Sequence, residues 1–345
     1  MSRSTCRAAS GTGLIRLAVP RIRRGCNPTT LARPDTPGGS GMGRLRNGIA
    51  ATAVTVLALT LGACASQDDK ATAVAGATSS APPTTAVKVA VEGDFDPGRF
   101  SDPTTIDNQW LPLKPGTQLT WEGSANSDDG RIDRKVVFTV TDLTKTINGV
   151  RTVVGWDRDY NNGQLVEPEL VFFAQDDDGN VWTLGQYPEE YEDGKLVATP
   201  AWFAGLEGAK AGLVMRAAPK PGTSDYSQGL GPKVGYADRA KVRKVNERTC
   251  VPTGCYQDVV VTEEWDKTDP KAVQLKYYAS GIGNVRVGWA GTDEEQEVLE
   301  LTKAAQLSPA ALAEADKQVL KLEQRAYRIS KGLYGRTAPA ERSPG

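Results

Sequence analysis

Two groups of carboxylates lie close enough in the sequence to act together in acid–base chemistry. Asp157 and Asp159 are two residues apart, and Glu263, Glu264 and Asp266 form the second group. Residues i and i+2 of a β-strand point to the same side, so Asp157 and Asp159 could line one cleft. Paired carboxylates of this kind hydrolyse glycosidic bonds. Acids on a solvated strand give the same pattern, so these residues are only weak catalytic candidates and we do not expect an enzyme.

The absence of histidine removes most other routes to catalysis. With no His in the chain, Ser-His-Asp and Cys-His sites are excluded, as are the usual zinc hydrolase sites and the commonest general base at neutral pH. Gly281 and Gly283 lack the third glycine and the following helix of a dinucleotide site. We therefore predict no cofactor.

The acidic segment that begins at Asp176 could bind calcium. Asp176, Asp178 and Asn180 place oxygen-bearing side chains at alternate positions, as in the opening of an EF-hand loop. However, the twelfth position from Asp176 is Tyr187, where such a loop requires glutamate. The sequence therefore favours a hairpin turn with exposed acids, and we predict no metal site.

Two cysteines late in the chain are candidates for a disulfide. Cys250 and Cys255 are separated by Val-Pro-Thr-Gly, which is turn material, so a hairpin would carry one cysteine on each strand. In an exported protein such cysteines are expected to be joined. A redox pair is the alternative, but it normally has two intervening residues at the start of a helix.

Residues 95–303 carry the signals of antiparallel strands. Val, Thr, Tyr and Trp alternate with polar residues in short runs, which are bounded by Asn-Gly, Asp-Gly and Pro-Gly. No sustained helical period occurs there. The pattern predicts one mainly-β domain, either a large antiparallel curved sheet or half-open barrel, or a sandwich.

The C-terminal part of the chain is predicted to contain a helix. Ser308 and Pro309 form a helix start, and apolar residues then repeat at alternating spacings of three and four until Gly335. We expect this helix, within 304–335, to pack on the sheet of its own domain. A homodimeric coiled coil is the alternative. Residues 336–345 are predicted to form a disordered tail.

The N-terminal part predicts a lipid anchor. An apolar run, Gly48–Ala63, follows Arg44 and Arg46 and ends in Leu-Gly-Ala-Cys64, which resembles a bacterial lipobox. The resemblance implies acylation of Cys64 and removal of residues 1–63. Residues 1–41 are rich in arginine and do not fit a signal peptide, whereas Met42 and the residues after it do, so the true start could be Met42. The alternatives are an ordinary signal peptide or a short membrane anchor. The Ala/Thr/Ser/Pro-rich residues 64–94 are predicted to form a disordered tether.

The charge balance argues against a nucleic-acid partner. The whole chain has 41 Lys and Arg against 42 Asp and Glu, and the leader, residues 1–63, holds nine arginines and one aspartate. Removing the leader would therefore leave an acidic domain, whereas nucleic-acid binding requires basic patches. We predict an extracytoplasmic location on the cell membrane.

The tryptophans suggest where a ligand could bind. All seven lie beyond Phe95, and aromatic side chains often line apolar ligand sites. The candidate lining residues are Trp121, Trp156, Trp182, Trp265 and Trp289. Alternatively, these rings simply fill the core of the sheet.

Four phrases in the sequence resemble an uncharacterised bacterial envelope domain that occurs in secreted and lipid-anchored proteins. They are TTIDNQWLPLKPGTQLTWEG, VFFAQDDDGNVWTLGQ, QLKYYASGIGNV and GLYGRT, and they extend the resemblance over about residues 95–338. The third phrase also resembles envelope proteins built on a half-open barrel around a helix. The resemblance implies a fold and a location, but no activity and no catalytic residues.

Together these observations predict a non-enzymatic envelope lipoprotein that binds an apolar or amphiphilic ligand, or an envelope partner. Two alternatives remain: an interaction or structural protein with a solid core, and, less favoured, a carboxylate-dependent hydrolase.

Overall fold

A computed structural model describes residues 95–343, about half of which belong to one antiparallel β-sheet. After a short 3-10 helix at Pro97–Arg99, the first strands are β1 (Thr117–Ser127), β2 (Gly130–Ile147), β3 (Val150–Asn161), β4 (Gln164–Gln175) and β5 (Val181–Pro188). Short strands follow: β6 (Glu190–Glu192), β7 (Lys195–Ala198), β8 (Trp202–Phe203), β9 (Gly212–Met215) and β10 (Tyr226–Ser227). The last strands are β11 (Asp238–Val251), β12 (Gly254–Asp266), β13 (Ala272–Ala279), β14 (Gly283–Gly291), β15 (Val298–Gln306) and β16 (Glu341–Arg342).

The order of strands in the large sheet follows the chain with one rearrangement. The order is β10-β11-β12-β13-β14-β15-β1-β2-β3-β4-β5-β8, and β9 and β16 add to β5 and β2. β6 and β7 form a separate hairpin. The sheet is not closed, although an isolated bridge joins Lys210, before β9, to Leu230, after β10. The predicted mainly-β, antiparallel architecture is confirmed.

Two-residue turns fix the register of several hairpins. Asn148 and Asn162 have φ angles of 49° and 48°, and each is followed by a glycine that also has positive φ. Positive φ at both central residues defines the type I′ turn, whose twist matches that of the flanking strands. Asp193 and Gly194 form the same turn between β6 and β7. These turns lie where the sequence predicts them.

The two faces of the sheet differ in what they contact. Trp121 on β1 lies opposite Val136 on β2, and both side chains are fully buried. We call the face that carries them the inner face. The neighbouring pair, Glu122 and Lys135, points to the other side, where both side chains are exposed and form an ion pair of 3.7 Å. This alternation follows from the two-residue period of a strand.

Helix α1 (Pro309–Ile329) covers one half of the outer face. Ser308 caps it by accepting a hydrogen bond from the Ala311 N–H at 3.3 Å. Its buried apolar residues pack with those of β2–β4 in one cluster, which includes Val319, Leu322, Leu143 and Phe172. The helix therefore packs on the sheet of its own domain, as predicted, and a second short helix, α2 (Lys331–Tyr334), follows it.

The C-terminal residues bind β2 through hydrogen bonds and strand pairing. The fully buried ammonium of Lys145 donates hydrogen bonds to Glu323 at 2.8 Å and to the Tyr327 hydroxyl at 3.2 Å, and also to the Ala338 carbonyl. Further along, β16 pairs with the second half of β2. Residues 336–343, which were expected to belong to a disordered tail, are therefore held by hydrogen bonds, and β15 extends to Gln306, beyond the expected boundary at 303.

Candidate functional site

Four carboxylates of the β3–β4 hairpin meet on the inner face of the sheet. Asp157 lies opposite Glu169, and Asp159 lies opposite both Glu167 on β4 and Val136 on β2. Each of the four side chains is at most 4% exposed. Like charges directly opposite each other destabilise a sheet, and burial adds a desolvation cost. We call these four residues, together with Arg134, the acidic interior.

Arg134 on β2 is the cation that the structure places in this group. Its guanidinium donates to Asp159 Oδ2 at 2.9 Å and to Glu297 Oε1 at 3.0 Å, and also bonds Asn161. Glu297 in turn accepts a hydrogen bond from Gln274 Nε2 on β13 at 2.9 Å. Burial alone would lower the pKa of Arg134, but the two carboxylates outweigh it and the pKa is raised. The arginine is therefore permanently charged.

Three carboxylates of this group have a raised pKa, which favours their protonated form. Burial, followed by the charges of Glu190 and Asp157, raises the pKa of Glu167 to about 8. Burial and the neighbouring acids also raise the pKa of Glu169 well above its ordinary value. The same causes raise the pKa of Asp159, against the opposing effect of Arg134. Burial therefore favours bound protons on Glu167, Glu169 and Asp159 at neutral pH.

A second polar group occupies the inner face of β12 and β13. The ammonium of Lys276 lies 2.8 Å from Glu264 Oε2, and Tyr278 donates to Glu264 Oε1 at 3.3 Å. Tyr236 is fully buried and stacks on Trp202. Its pKa is raised by burial and by carboxylates that include Asp238, Glu169 and Glu264.

The structure separates the weak catalytic candidates. Asp157 and Asp159 share the inner face, as the two-residue spacing predicts. Glu263 points to the outer face, where it pairs with Lys241 at 2.6 Å and with Arg243 at 2.7 Å. Neither of the two pockets described below is lined by any of these acids. A substrate would therefore need a rearrangement to reach Asp157 and Asp159.

Sequence reasoning missed Arg134, Glu167, Glu169 and Glu297. A signal existed for the two glutamates, because Glu-Pro-Glu follows Asp-Arg-Asp across the Asn162–Gly163 turn with the same two-residue spacing. A register shift between Asp159 and Tyr160 is needed to bring Glu167 opposite Asp159. Such bulges are not visible in a single sequence.

The five candidate tryptophans do not surround one space. Trp121 is buried and donates to the Asn284 carbonyl at 3.2 Å, and Trp182 is buried and donates to Asp176 at 2.8 Å. Trp156 stacks under Arg158 at 3.9 Å. Trp265 is half-buried, and Trp289 is 39% exposed. These positions match those of side chains that fill a core or cover its edge.

Two of the pockets within residues 95–343 are small. The larger, of about 20 Å³, is almost wholly apolar, and its wall includes Leu111, Leu113, Phe138, Tyr278 and Ile282. The second, of about 10 Å³, lies beside Trp202. A cavity of about 10–15 Å³ holds one water, whereas ordinary ligand sites measure about 300–1,000 Å³. None of the five candidate tryptophans lines either pocket.

The carboxylate oxygens of the acidic turn between β4 and β5 accept hydrogen bonds from neighbouring protein groups. Asp176 accepts hydrogen bonds from the N–H groups of Asp178 and Asn180, from the Asn180 amide and from the Trp182 ring. Asp177 accepts from Ser101, and Asp178 pairs with Arg99. Across residues 95–343, no group of three or more Asp, Glu or Cys side chains could hold a metal ion.

Two of the predicted functional cysteines lie within residues 95–343, and Cys64 lies before them. Cys250 and Cys255 lie directly opposite each other in the β11–β12 hairpin and form the predicted disulfide. Cys64, the residues before it and the tether lie outside the described residues. Within the described part of the chain, no helix is both long enough and apolar enough to cross a membrane.

Comparisons with known proteins found similar solved structures but show no family for this chain. No protein-family model matches the chain, and no curated protein matches it. A predicted exported protein with a YmcC-like fold from Bacteroides fragilis is similar over 57% of this chain and 99% of its own, with 15% identity and a TM-score of 0.35. A predicted lipoprotein from Parabacteroides distasonis has the same coverages, 10% identity and a TM-score of 0.31.

Proposed function

We propose that the chain is a lipid-anchored protein of the bacterial cell envelope, and that its β-domain acts outside the cytoplasm by binding an envelope protein. The lipobox-like tetrapeptide ending at Cys64 supports the anchor. The disulfide between Cys250 and Cys255 supports an oxidising compartment. Binding, rather than catalysis, fits the enclosed position of the carboxylates on the inner face.

The observation that carries the protein-binding role is the uncovered half of the outer face, on β11–β14. Trp265, Leu275 and Tyr277 are only half-buried there, whereas α1 covers the other half. Lys241 lies 5.7 Å from the Trp265 ring, and Arg286 lies 5.7 Å from the Tyr277 ring. Aromatic residues and arginine are enriched at protein interfaces, and half-exposed tryptophan and tyrosine are common energetic centres of such interfaces.

Site-specific photo-crosslinking in cells tests this role. A crosslinking amino acid at Leu275 is expected to capture one defined protein from the envelope, because the side chain lies within the uncovered half. The matched control places the same amino acid at Lys317, on the exposed side of α1. Equal patterns from both positions, or no adduct from Leu275, would contradict the proposal.

The lipid anchor has a separate test. Replacing Cys64 with Ala removes the sulfur that would be acylated, so the protein is expected to leave the membrane fraction. A Cys64→Ala protein that stays membrane-bound and uncut would show that the lipobox interpretation is wrong, whatever the crosslinking experiment finds.

A second candidate function is binding of the end of an apolar chain in the larger pocket. The specific observation is the wall of that pocket, which Leu113, Phe138 and Ile282 make apolar. Its present volume admits no whole ligand, so the segment that contains Leu113 would have to move. Mass spectrometry of an organic extract of the purified protein should then reveal a bound amphiphile at near-equal molar ratio. An extract without such a compound would remove this candidate.

A further inference from the structure

The β6–β7 hairpin packs against β4 beside the acidic interior. It belongs to neither edge of the large sheet, and its two strands pair only with each other. The preceding residue, Glu189, donates its N–H to the Pro168 carbonyl at 3.0 Å, between Glu167 and Glu169. The charge of Glu190 on β6 acts directly on Glu167. One strand of the hairpin therefore places a carboxylate against the buried carboxylates of β4.

Neither carboxylate in this contact has full compensation. Glu167 Oε2 and Glu190 Oε1 are buried and have no hydrogen-bond partner within residues 95–343. The nearby cation, Arg134, is already engaged by Asp159 and Glu297. If both glutamates lose their protons, two like charges act on each other at a partly buried contact, and that contact is destabilised.

We propose that the β6–β7 hairpin is a pH-released flap, which stays on β4 while Glu167 and Glu190 hold protons and moves away when both ionise. The moving part is residues 190–198, whose tip is the Asp193–Gly194 turn. This part exposes Leu196 and Val197, at 39% and 45%. A flap that opens would bring the acidic interior into contact with solvent.

The ends of the flap are fixed by contacts that do not involve Glu167. Buried Glu189 accepts hydrogen bonds from Tyr187 at 2.9 Å and from Arg325 of α1 at 2.9–3.2 Å. After the hairpin, the hydroxyls of Thr199 and Ser330 lie 3.3 Å apart. Tyr191 of the hairpin also donates to Glu189 at 2.7 Å, so this bond must break or turn with the hairpin when it leaves β4. The other anchors keep the sheet and α1 in place.

The charged groups around the contact all bear on its titration. Asp159 lies opposite Glu167, Asp157 and Glu169 are acids on the same face, and Arg134 is the base that opposes them. On the flap, Glu192 raises the pKa of Glu190, after burial as the larger cause. The pKa of Glu190 is raised to about 7 and that of Glu167 to about 8. The flap should therefore stay closed below about pH 6 and open above about pH 8.

Hydrogen exchange of the whole domain at pH 5.5 and 8.5, corrected for the intrinsic rate at each pH, tests the flap. The protection factors of residues 190–198 are expected to fall at least about tenfold at the higher pH, which corresponds to one pH unit of linked ionisation. Protection of β12 and β13 should change much less. Equal protection of the hairpin at both pH values would overturn the proposal.

Two variants distinguish ionisation of Glu190 from a general loss of hairpin stability at high pH. Glu190→Gln removes the ionisable group from a half-buried position, so the domain should fold and its hairpin should stay protected at pH 8.5. The matched control is Glu192→Gln, an exposed neighbour on the same strand, which should keep most of the pH response. If the hairpin of Glu190→Gln still loses protection at pH 8.5 to the wild-type extent, the proposal is wrong.

Discussion

The inner face of the sheet has two ends that are built differently, although the same strands form both. On β2, Phe138 and Arg134 lie four residues apart on this face, and both side chains are buried. Phe138 packs edge-on against Phe173 with the ring centroids 6.2 Å apart. Arg134, by contrast, lies among carboxylates. The surroundings of β2 therefore change from an apolar core at Phe138 to an ionic group at Arg134 within four residues of one strand.

The difference shows that burial stabilises the two ends by different means. At the apolar end, each buried side chain contributes by itself, at about 25 cal/mol per Å² of apolar surface. At the acidic end, burial costs free energy unless every charge is paired or neutralised by a proton. The apolar end should therefore tolerate changes of pH, and the acidic end should not.

Removal of Arg134 is expected to have the largest effect. Arg134→Met should lower the free energy of unfolding at neutral pH by about 3–5 kcal/mol, because Asp159 and Glu297 lose their buried partner. Denaturant titration measures this change. Lys135→Met, at the exposed neighbouring position, should cost less than about 0.5 kcal/mol. Similar costs for both variants would mean that the ionic network does not stabilise this end.

Truncation at the apolar end should have a slightly smaller effect. Leu119→Ala removes buried methyl groups and should cost about 2–5 kcal/mol through lost burial and a residual cavity. The titratable side chain in the wall of the larger pocket is Tyr278, and burial raises the pKa of its hydroxyl well above the ordinary value. Tyr278 is therefore neutral at both pH values, and the cost should be the same at pH 5 and pH 8. A cost that varies strongly with pH would break the contrast between the two ends.

The sequence predicts which side chains share a face of the sheet at both ends, but not whether that face is buried. The alternation that places Trp121 and Val136 inside is visible in the sequence, as are the Asn-Gly turns that set the register. The same alternation places Asp157 and Asp159 on one face, but it cannot tell a buried face from a solvated one. Four acids around a tight turn are more often exposed.

The C-terminal region shows the same limit. The helix start at Ser308 is predicted because capping is local chemistry. By contrast, Lys145 on β2 binds Glu323 and the Ala338 carbonyl, and these contacts join parts of the chain that are far apart. No local sequence pattern predicts these long-range contacts, so the sequence alone predicts disorder after Gly335.

The pH dependence of stability provides a third test of the comparison. The pKa of Glu167 is about 8 in the folded state, against an ordinary value near 4.3 in the unfolded chain. Between these values the folded state holds a proton that the unfolded state has lost, so stability should fall as the pH rises from 5 to 8. The expected slope is at most about 1.4 kcal/mol per pH unit for each such group.

The matched variant for this test is Glu167→Gln, which keeps the shape of the side chain and removes its titration. Thermal or denaturant unfolding at several pH values should show a shallower slope than the wild type. A wild-type stability that rises between pH 5 and 8, or a variant with an unchanged slope, would contradict the presence of shared protons in the acidic interior.

The smallest expected effect concerns the acids of the β4–β5 turn, which lie outside the inner face. Asp176 already accepts several hydrogen bonds from its own turn, and Asp178 pairs with Arg99 at the surface. Millimolar calcium should therefore shift the melting temperature by less than about 1 °C, because a ligand that does not bind the folded state adds no stability. Asp178→Ala should cost less than about 1 kcal/mol, since exposed ion pairs contribute little. Titration calorimetry that finds micromolar calcium affinity, lost in Asp178→Ala, would show instead that this turn is a metal site.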